Sequence, residues 1–136
     1  MRELFKLEIN VTEVIELGGE AASVRMILFE GECNCPDVFV GRVLNGGVDT
    51  QITKNGVTTL SARYMLEGVD CKGMPCRIFI ENNGETVADR RLLTIPRIIT
   101  AGSENIKWLE NTVKQGEVVN DNGQLIIRFM GVLQDE

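Results

Sequence analysis

The sequence contains no histidine. Ser-His-Asp and Cys-His nucleophilic machinery are therefore excluded, as is every histidine-ligated metal site. Basic residues are also in short supply: 14 Lys and Arg stand against 20 Asp and Glu, a net charge of −6. Nucleic-acid binding through counterion release needs a basic face, and no basic cluster breaks the acidic balance, so neither DNA nor RNA is an expected partner. No apolar run approaches the ~20 residues that span a bilayer. The first residues, Met1-Arg2-Glu3-Leu4-Phe5-Lys6, carry charge where a secretion signal needs an apolar stretch. No membrane association is expected, and the expected compartment is the cytoplasm. Aromatic residues make up only 5% of the chain.

What is present reads as one globular domain. The 136 residues are 43% apolar and 25% charged, enough for a single core and outside the disordered range. Residues 1–136 are expected to form one unit, with no linker and no repeat. Four Asn-Gly pairs punctuate the chain, at Asn45-Gly46, Asn55-Gly56, Asn83-Gly84 and Asn122-Gly123. Each is a hairpin signal, because both central residues of a type I′ turn need positive φ. Between the turns, apolar residues alternate. Phe5, Leu7, Ile9 and Val11 share one face, while Lys6, Glu8 and Asn10 share the other.

Further strands are expected at 23–30, 39–44, 48–54, 57–66, 76–82, 91–95, 112–119 and 124–133. One short helix, capped by Ser103 and carrying Ile106, Trp108 and Leu109, is the only helical candidate. The fold expected is all-β, an antiparallel closed or nearly closed barrel of about nine strands. Closure would also remove the exposed edges. A two-residue loop at Asn55-Gly56 sets Asp49 opposite Ala62 and Gln51 opposite Leu60. Asp49 and Tyr64 then share a face, with Arg63 on the other. The same logic at Asn122-Gly123 sets Glu117 opposite Arg128 and Val118 opposite Ile127.

Several segments together resemble a known family. Gly41-Arg42-Val43-Leu44-Asn45-Gly46-Gly47-Val48-Asp49 is similar to its G-x-V-L-P-G-G-A-D segment. Leu60-Ser61-Ala62-Arg63-Tyr64-Met65-Leu66 resembles its L-D-A-R-Y-x-L strand, and Ile78-Phe79-Ile80-Glu81-Asn82-Asn83-Gly84 its I-Y-V-x-N-x-G segment. Pro96-Arg97 followed by Trp108-Leu109 keeps its P-R-F…W-L order. The family is domain of unknown function 3237, also called uncharacterised protein family 0311. The resemblance runs from about Leu4 to Val132 and implies a small β-barrel with no assigned chemistry. Thr50 replaces the family's Trp, Ser61 its Asp, and Asp70–Pro75 lengthens a turn. These departures imply a different pocket lining or a reduced activity.

Five residues are candidates for chemistry. A carboxylate at Asp49 inside a barrel would be desolvated and could serve as a general base or acid. Tyr64 could then donate to a substrate oxygen. The alternative leaves Asp49 bonded to turn amides and Tyr64 in the core. Arg63, Arg97 and Trp108 are the ligand-binding candidates. Arg63 would offer a fork to an anion if it were buried, Arg97 stands at a strand end near a barrel mouth, and Trp108 is either a stacking surface or a core plug. Cys33, Cys35, Cys71 and Cys76 lack the spacing of a zinc knuckle and read as free thiols, with zinc or a disulfide as the alternatives. Gly41…Gly46-Gly47 lacks the helix and Lys-Ser/Thr ending of a phosphate loop. No metal or cofactor is expected.

Two classes of function fit these features. One is a barrel that binds a small apolar or aromatic organic ligand, with cofactor-free isomerase, cyclase or lyase chemistry as its sharper form. The other is a homo-oligomeric interaction or structural module whose interior is filled with side chains.

Overall fold

The computed structural model describes residues 1–87 and 92–133. Nine strands run β1 (Arg2–Gly18), β2 (Ser23–Cys35), β3 (Phe39–Val43), β4 (Val48–Lys54), β5 (Val57–Asp70), β6 (Pro75–Val87), β7 (Leu93–Ala101), β8 (Val113–Asp121) and β9 (Gln124–Gly131). A 3₁₀ turn over Glu104–Ile106 and a helical turn, α1 (Leu109–Thr112), lie between β7 and β8.

All pairings are antiparallel, and they close into an eight-position barrel. The ninth strand arises because β3 and β4 share one position. β3 pairs with the C-terminal part of β2 and of β5, from Cys35↔Phe39 and Phe39↔Asp70 onward. β4 pairs with the preceding parts of the same two strands, with Ile27↔Asp49 and Asp49↔Ala62. Residues 44–47 interrupt the strand without leaving the ring, since the Leu44 amide still donates to Met65 O and the Phe29 amide to Gly47 O.

The expected hairpin at Asn45-Gly46 is therefore not formed, and neither is the one at Asn83-Gly84. β6 runs straight through Asn83 and Gly84, which pair with Ser61 and Leu60 on one side and with Ile95 and Thr94 on the other. Gly84 answers to a different demand, because a Cβ there would sit 2.8 Å from the Leu93 carbonyl oxygen. Its glycine permits β7 to approach closely rather than the chain to turn. The other two Asn-Gly pairs do form tight turns. Positive φ occurs at Asn55 and Gly56, and again at Asn122 and Gly123. All four pairings expected from them are present, Asp49↔Ala62 and Gln51↔Leu60 at the first and Glu117↔Arg128 and Val118↔Ile127 at the second.

The barrel's two ends differ. At one end the 3₁₀ turn and α1 insert Ile106 and Leu109, both fully buried. Ser103 caps this segment by accepting from the Asn105 amide. Asp70 holds the plug in place. Its Oδ1 accepts from the Lys72 and Met74 amides at 2.8 and 2.9 Å, and its Oδ2 accepts from Ser103 Oγ and Asn105 Nδ2. These bonds keep the Asp70 carboxyl far below its ordinary range. Above the plug lies a close-packed layer in which Phe5 stacks on Phe129, ring centroids 4.5 Å apart. Leu7, Phe39, Leu66, Ile78 and Ile80 belong to the same core with no solvent contact. Each such side chain contributes on the order of 2 kcal/mol.

The other end is open. It carries the β1–β2, β4–β5 and β8–β9 turns, and it is here that the interior is not filled. Beyond Ile9, β1 parts from β9 and continues to Gly18 paired with β2 alone.

Candidate functional site

The open end holds a cavity of about 220 Å³. Its wall is apolar because alternation brings one face of each strand inward. Ile9 and Val11 of β1, Ile27 and Phe29 of β2, Leu60 and Ala62 of β5, and Leu125 and Ile127 of β9 all contribute. Among the described residues, four polar side chains interrupt this wall: Asp49 and Gln51 from β4, Asn82 from β6 and Thr94 from β7. Asp49 and Gln51 reach it for the reason legible in the sequence. The even-length Asn55-Gly56 loop places both opposite inward residues of β5.

Asp49 is only half satisfied. Gln51 donates its side-chain amide to Oδ2 at 2.9 Å, while Oδ1 is buried with no hydrogen-bond partner. Burial pushes its carboxyl above the ordinary 3.8, against the opposing pull of the Gln51 amide and the charge of Arg25. Arg25 faces the same side of the sheet one step nearer the mouth, paired with Gln51 in register and 3.6 Å from Glu16.

Asn82 and Thr94 are deeper, 1% and 2% exposed. Asn82 Oδ1 and Thr94 Oγ1 are also buried without partners. Gly116 of β8 makes room for the Thr94 hydroxyl, because a Cβ at that position would lie only 2.4 Å from Thr94 Oγ1. Tyr64 lies behind this floor, 3% exposed, with its ring edge on Phe29 at a centroid distance of 5.1 Å. Its hydroxyl makes no complete hydrogen bond, and the Asn82 side chain is the polar group beside it. Burial drives the phenol well above its ordinary value, Asn82 opposes the rise, and the Asp49 charge adds to it.

The structure thus brings Asp49 and Tyr64 to the same interior face, but it does not bring the other three candidates to them. Arg63 points out of the barrel and is 66% exposed. It pairs with Glu81 Oε2 at 2.9 Å. Arg97, 68% exposed, approaches the other oxygen of Glu81 at 3.9 Å. The cause is parity: Arg63, Glu81 and Arg97 are register partners across β5, β6 and β7, all on the outer face. Trp108 sits at the plugged end, 37% exposed, and leaves the plugging to Ile106 and Leu109. The notion of an arginine fork inside the barrel is therefore corrected. Among the described residues that line the cavity there is neither Lys nor Arg.

The four cysteines are free thiols, Cys33 and Cys76 buried, Cys35 intermediate and Cys71 exposed. Among the described residues, no three of Cys, Asp and Glu gather as a cation site. Among the same residues, no helix is long and apolar enough to cross a membrane.

Asn82 and Thr94 are the residues that sequence reasoning missed. Asn82 had a visible signal, since it continues the inward series Ile78, Ile80 on β6. Thr94 had none, because on β7 the apolar residues Leu93, Ile95 and Ile99 face outward and are exposed.

No curated protein matches the chain. Among solved structures, it is similar to a protein of unknown function from Clostridium acetobutylicum, 26% identical, with a TM-score of 0.79 and coverage of 97% of this chain and 98% of that one. A β-barrel-like protein from Acinetobacter baumannii is 23% identical, with a TM-score of 0.72 and coverage of 93% and 91%. A protein from Penicillium herquei described as an enzyme is 17% identical, with a TM-score of 0.67 and coverage of 95% and 92%. These likenesses agree with the barrel. A family model matches residues 1–132, and the chain belongs to that family, described as Protein of unknown function (DUF3237).

Proposed function

We propose that this protein binds a small, mainly apolar organic molecule in the open-end cavity and that Asp49 exchanges a proton with it. One observation carries this reading: an apolar cavity has, on its wall and floor, buried polar atoms with no partner. Asp49 Oδ1, Asn82 Oδ1 and Thr94 Oγ1 all lack a protein partner, and leaving such an atom without any partner costs about 1–3 kcal/mol. A bound molecule that satisfies these atoms recovers it. A cavity with an apolar wall, a few convergent polar groups and a carboxyl raised by desolvation has the character of a ligand site.

In the catalytic form, Asp49 takes a proton from one atom of the ligand and returns it to another, as an isomerase, cyclase or lyase requires. The raised carboxyl suits both directions. Tyr64 is not among the described residues that line the cavity, so in this reading it backs the floor and does not meet the ligand. The Penicillium herquei enzyme supports catalysis only by analogy of fold. Four free thiols suit a cytoplasmic setting.

A specific observation also supports the assembly reading. Among the described residues, positions 10–18 of β1 pair on one side only and leave Val11, Val14, Ile15 and Leu17 exposed. An open edge with apolar faces is a template for further strand pairing.

Native mass spectrometry of untagged protein, before and after incubation with a mixture of small apolar molecules, separates the two. Adducts of one to a few hundred daltons lost on denaturation are the result expected. Bare chains under both conditions, in a complex of fixed size, would overturn the ligand reading in favour of assembly.

A further inference from the structure

We infer that the cavity selects a molecule with a hydrogen-bond-donating head, a hydroxyl or an ammonium, on a compact aliphatic body; this rests on the ligand-binding reading above. The head follows from the unpartnered atoms. Asn82 Oδ1 can only accept, and Asp49 Oδ1 accepts whenever the carboxyl is ionised. Thr94 Oγ1 both accepts and donates. Acceptors therefore outnumber donors at the polar pole. A ligand carbonyl would find the Thr94 hydroxyl and leave the Asp49 and Asn82 oxygens bare. A ligand carboxylate, sulfonate or phosphate would meet those same oxygens with neither Lys nor Arg among the described lining residues. Arg25 stands one step out at the mouth and is already paired with Glu16, and a buried unpaired anion is costly. A hydroxyl donates to one of the Asp49 and Asn82 oxygens, and an ammonium, with three N–H groups, can donate to both.

The body follows from the wall. Phe29 is the one aromatic ring among the described lining residues, and the rest of the wall is built from Ile, Val, Leu and Ala. Size sets the limit. An apolar cavity of ~150 Å³ accommodates benzene, so about 220 Å³ takes one saturated ring with a short substituent.

Four probes with one ring and different heads test this against a headless control. Cyclohexylmethanol, cyclohexylmethylamine, cyclohexyl methyl ketone and cyclohexanecarboxylate are titrated into the protein beside ethylcyclohexane, with binding constants read by NMR. The alcohol or the amine is expected to bind about tenfold more tightly than the hydrocarbon and the ketone, and the carboxylate most weakly. If the alcohol leads, the natural head is a neutral hydroxyl; if the amine leads, it is a cation paired with Asp49. Thr94→Val, which keeps the side-chain shape, is expected to reduce the alcohol's advantage several-fold while leaving the hydrocarbon's affinity unchanged. If all five bind equally, or if the ketone or carboxylate binds best, the donor-headed selection fails and the cavity reading stands. If none binds, both fail.

Discussion

Gln51 donates to only one oxygen of Asp49, at 2.9 Å from two positions along the same face of β4, and the other oxygen is buried with no protein donor. The neighbour thus orients the carboxyl and leaves Oδ1 free to act. A fully solvated aspartate would find water for both oxygens, and a purely structural one would find protein donors for both, as Asp70 does at the plugged end.

The raised carboxyl at Asp49 has a consequence for stability. A group whose pKa is higher in the folded than in the unfolded chain contributes stability below the unfolded value of 3.8 and loses it as pH rises through the folded value. Asp49→Asn is therefore expected to melt above wild type near neutral pH, with the gap closing as the pH is lowered toward 4. Melting curves of the two proteins across that range provide the check. A gap independent of pH would contradict the desolvated carboxyl. In any turnover assay the same variant is expected to bind ligand and not convert it.

Asp70 has the opposite sign. Its carboxyl is held ionised by Ser103, Asn105 and two backbone amides, so its contribution is complete above the unfolded value of 3.8 and fades as pH falls below it. Asp70→Ala is expected to lower Tm most at neutral pH and to converge with wild type in acid. Hydrogen exchange in the variant should rise first at residues 103–112, where the plug is anchored.

The outward arginines should matter little. Arg63→Ala and Arg97→Ala are each expected to change stability by less than about 0.5 kcal/mol, as exposed ion pairs do, and to leave ligand affinity unchanged. A tenfold loss of affinity in either variant would mean that the ligand sits on the outer face.

Ala62 lines the cavity opposite Asp49, so Ala62→Leu should fill it. Enlarging a side chain in a packed core costs about 1–3 kcal/mol. Here the added carbons enter empty space, and a change in Tm of no more than a few degrees is expected with at least a tenfold loss of binding.

Much of this was legible in the residues, and the failures have identifiable causes. The two hairpins at Asn55-Gly56 and Asn122-Gly123 fixed parity, and with it the inward placement of Asp49 and Tyr64 and the pairing of Glu117 with Arg128. The same dipeptide misled at Asn83-Gly84, where a glycine required by the approach of β7 looks identical in sequence to one required by a turn. It misled at Asn45-Gly46 because an interrupted strand and a hairpin use the same residues. Strand ends were placed short, as at β5, which runs to Asp70 rather than Leu66. Coiled barrel strands continue through positions whose local pattern has already faded. The expected strand at 91–95 begins at a position outside the described residues, and from Leu93 onward it is β7. Parity also placed Arg63 outside, but nothing local said that Glu81 would be waiting for it. Thr94 lies on a strand where Leu93, Ile95 and Ile99 face solvent and Ile98 faces the core, so apolar alternation there does not single out the inner side.

Everything proposed for Asp49, Asn82 and Thr94 depends on a ligand at the open end of the barrel. Amide chemical-shift mapping of the full chain during titration with cyclohexylmethanol tests it most directly. Shifts should cluster at Asp49, Ala62, Asn82, Thr94 and Ile127 and be absent at Arg63, Arg97 and Trp108. Shifts gathered around Trp108 and the plug, or along the outer row of Arg63 and Arg97, would contradict it.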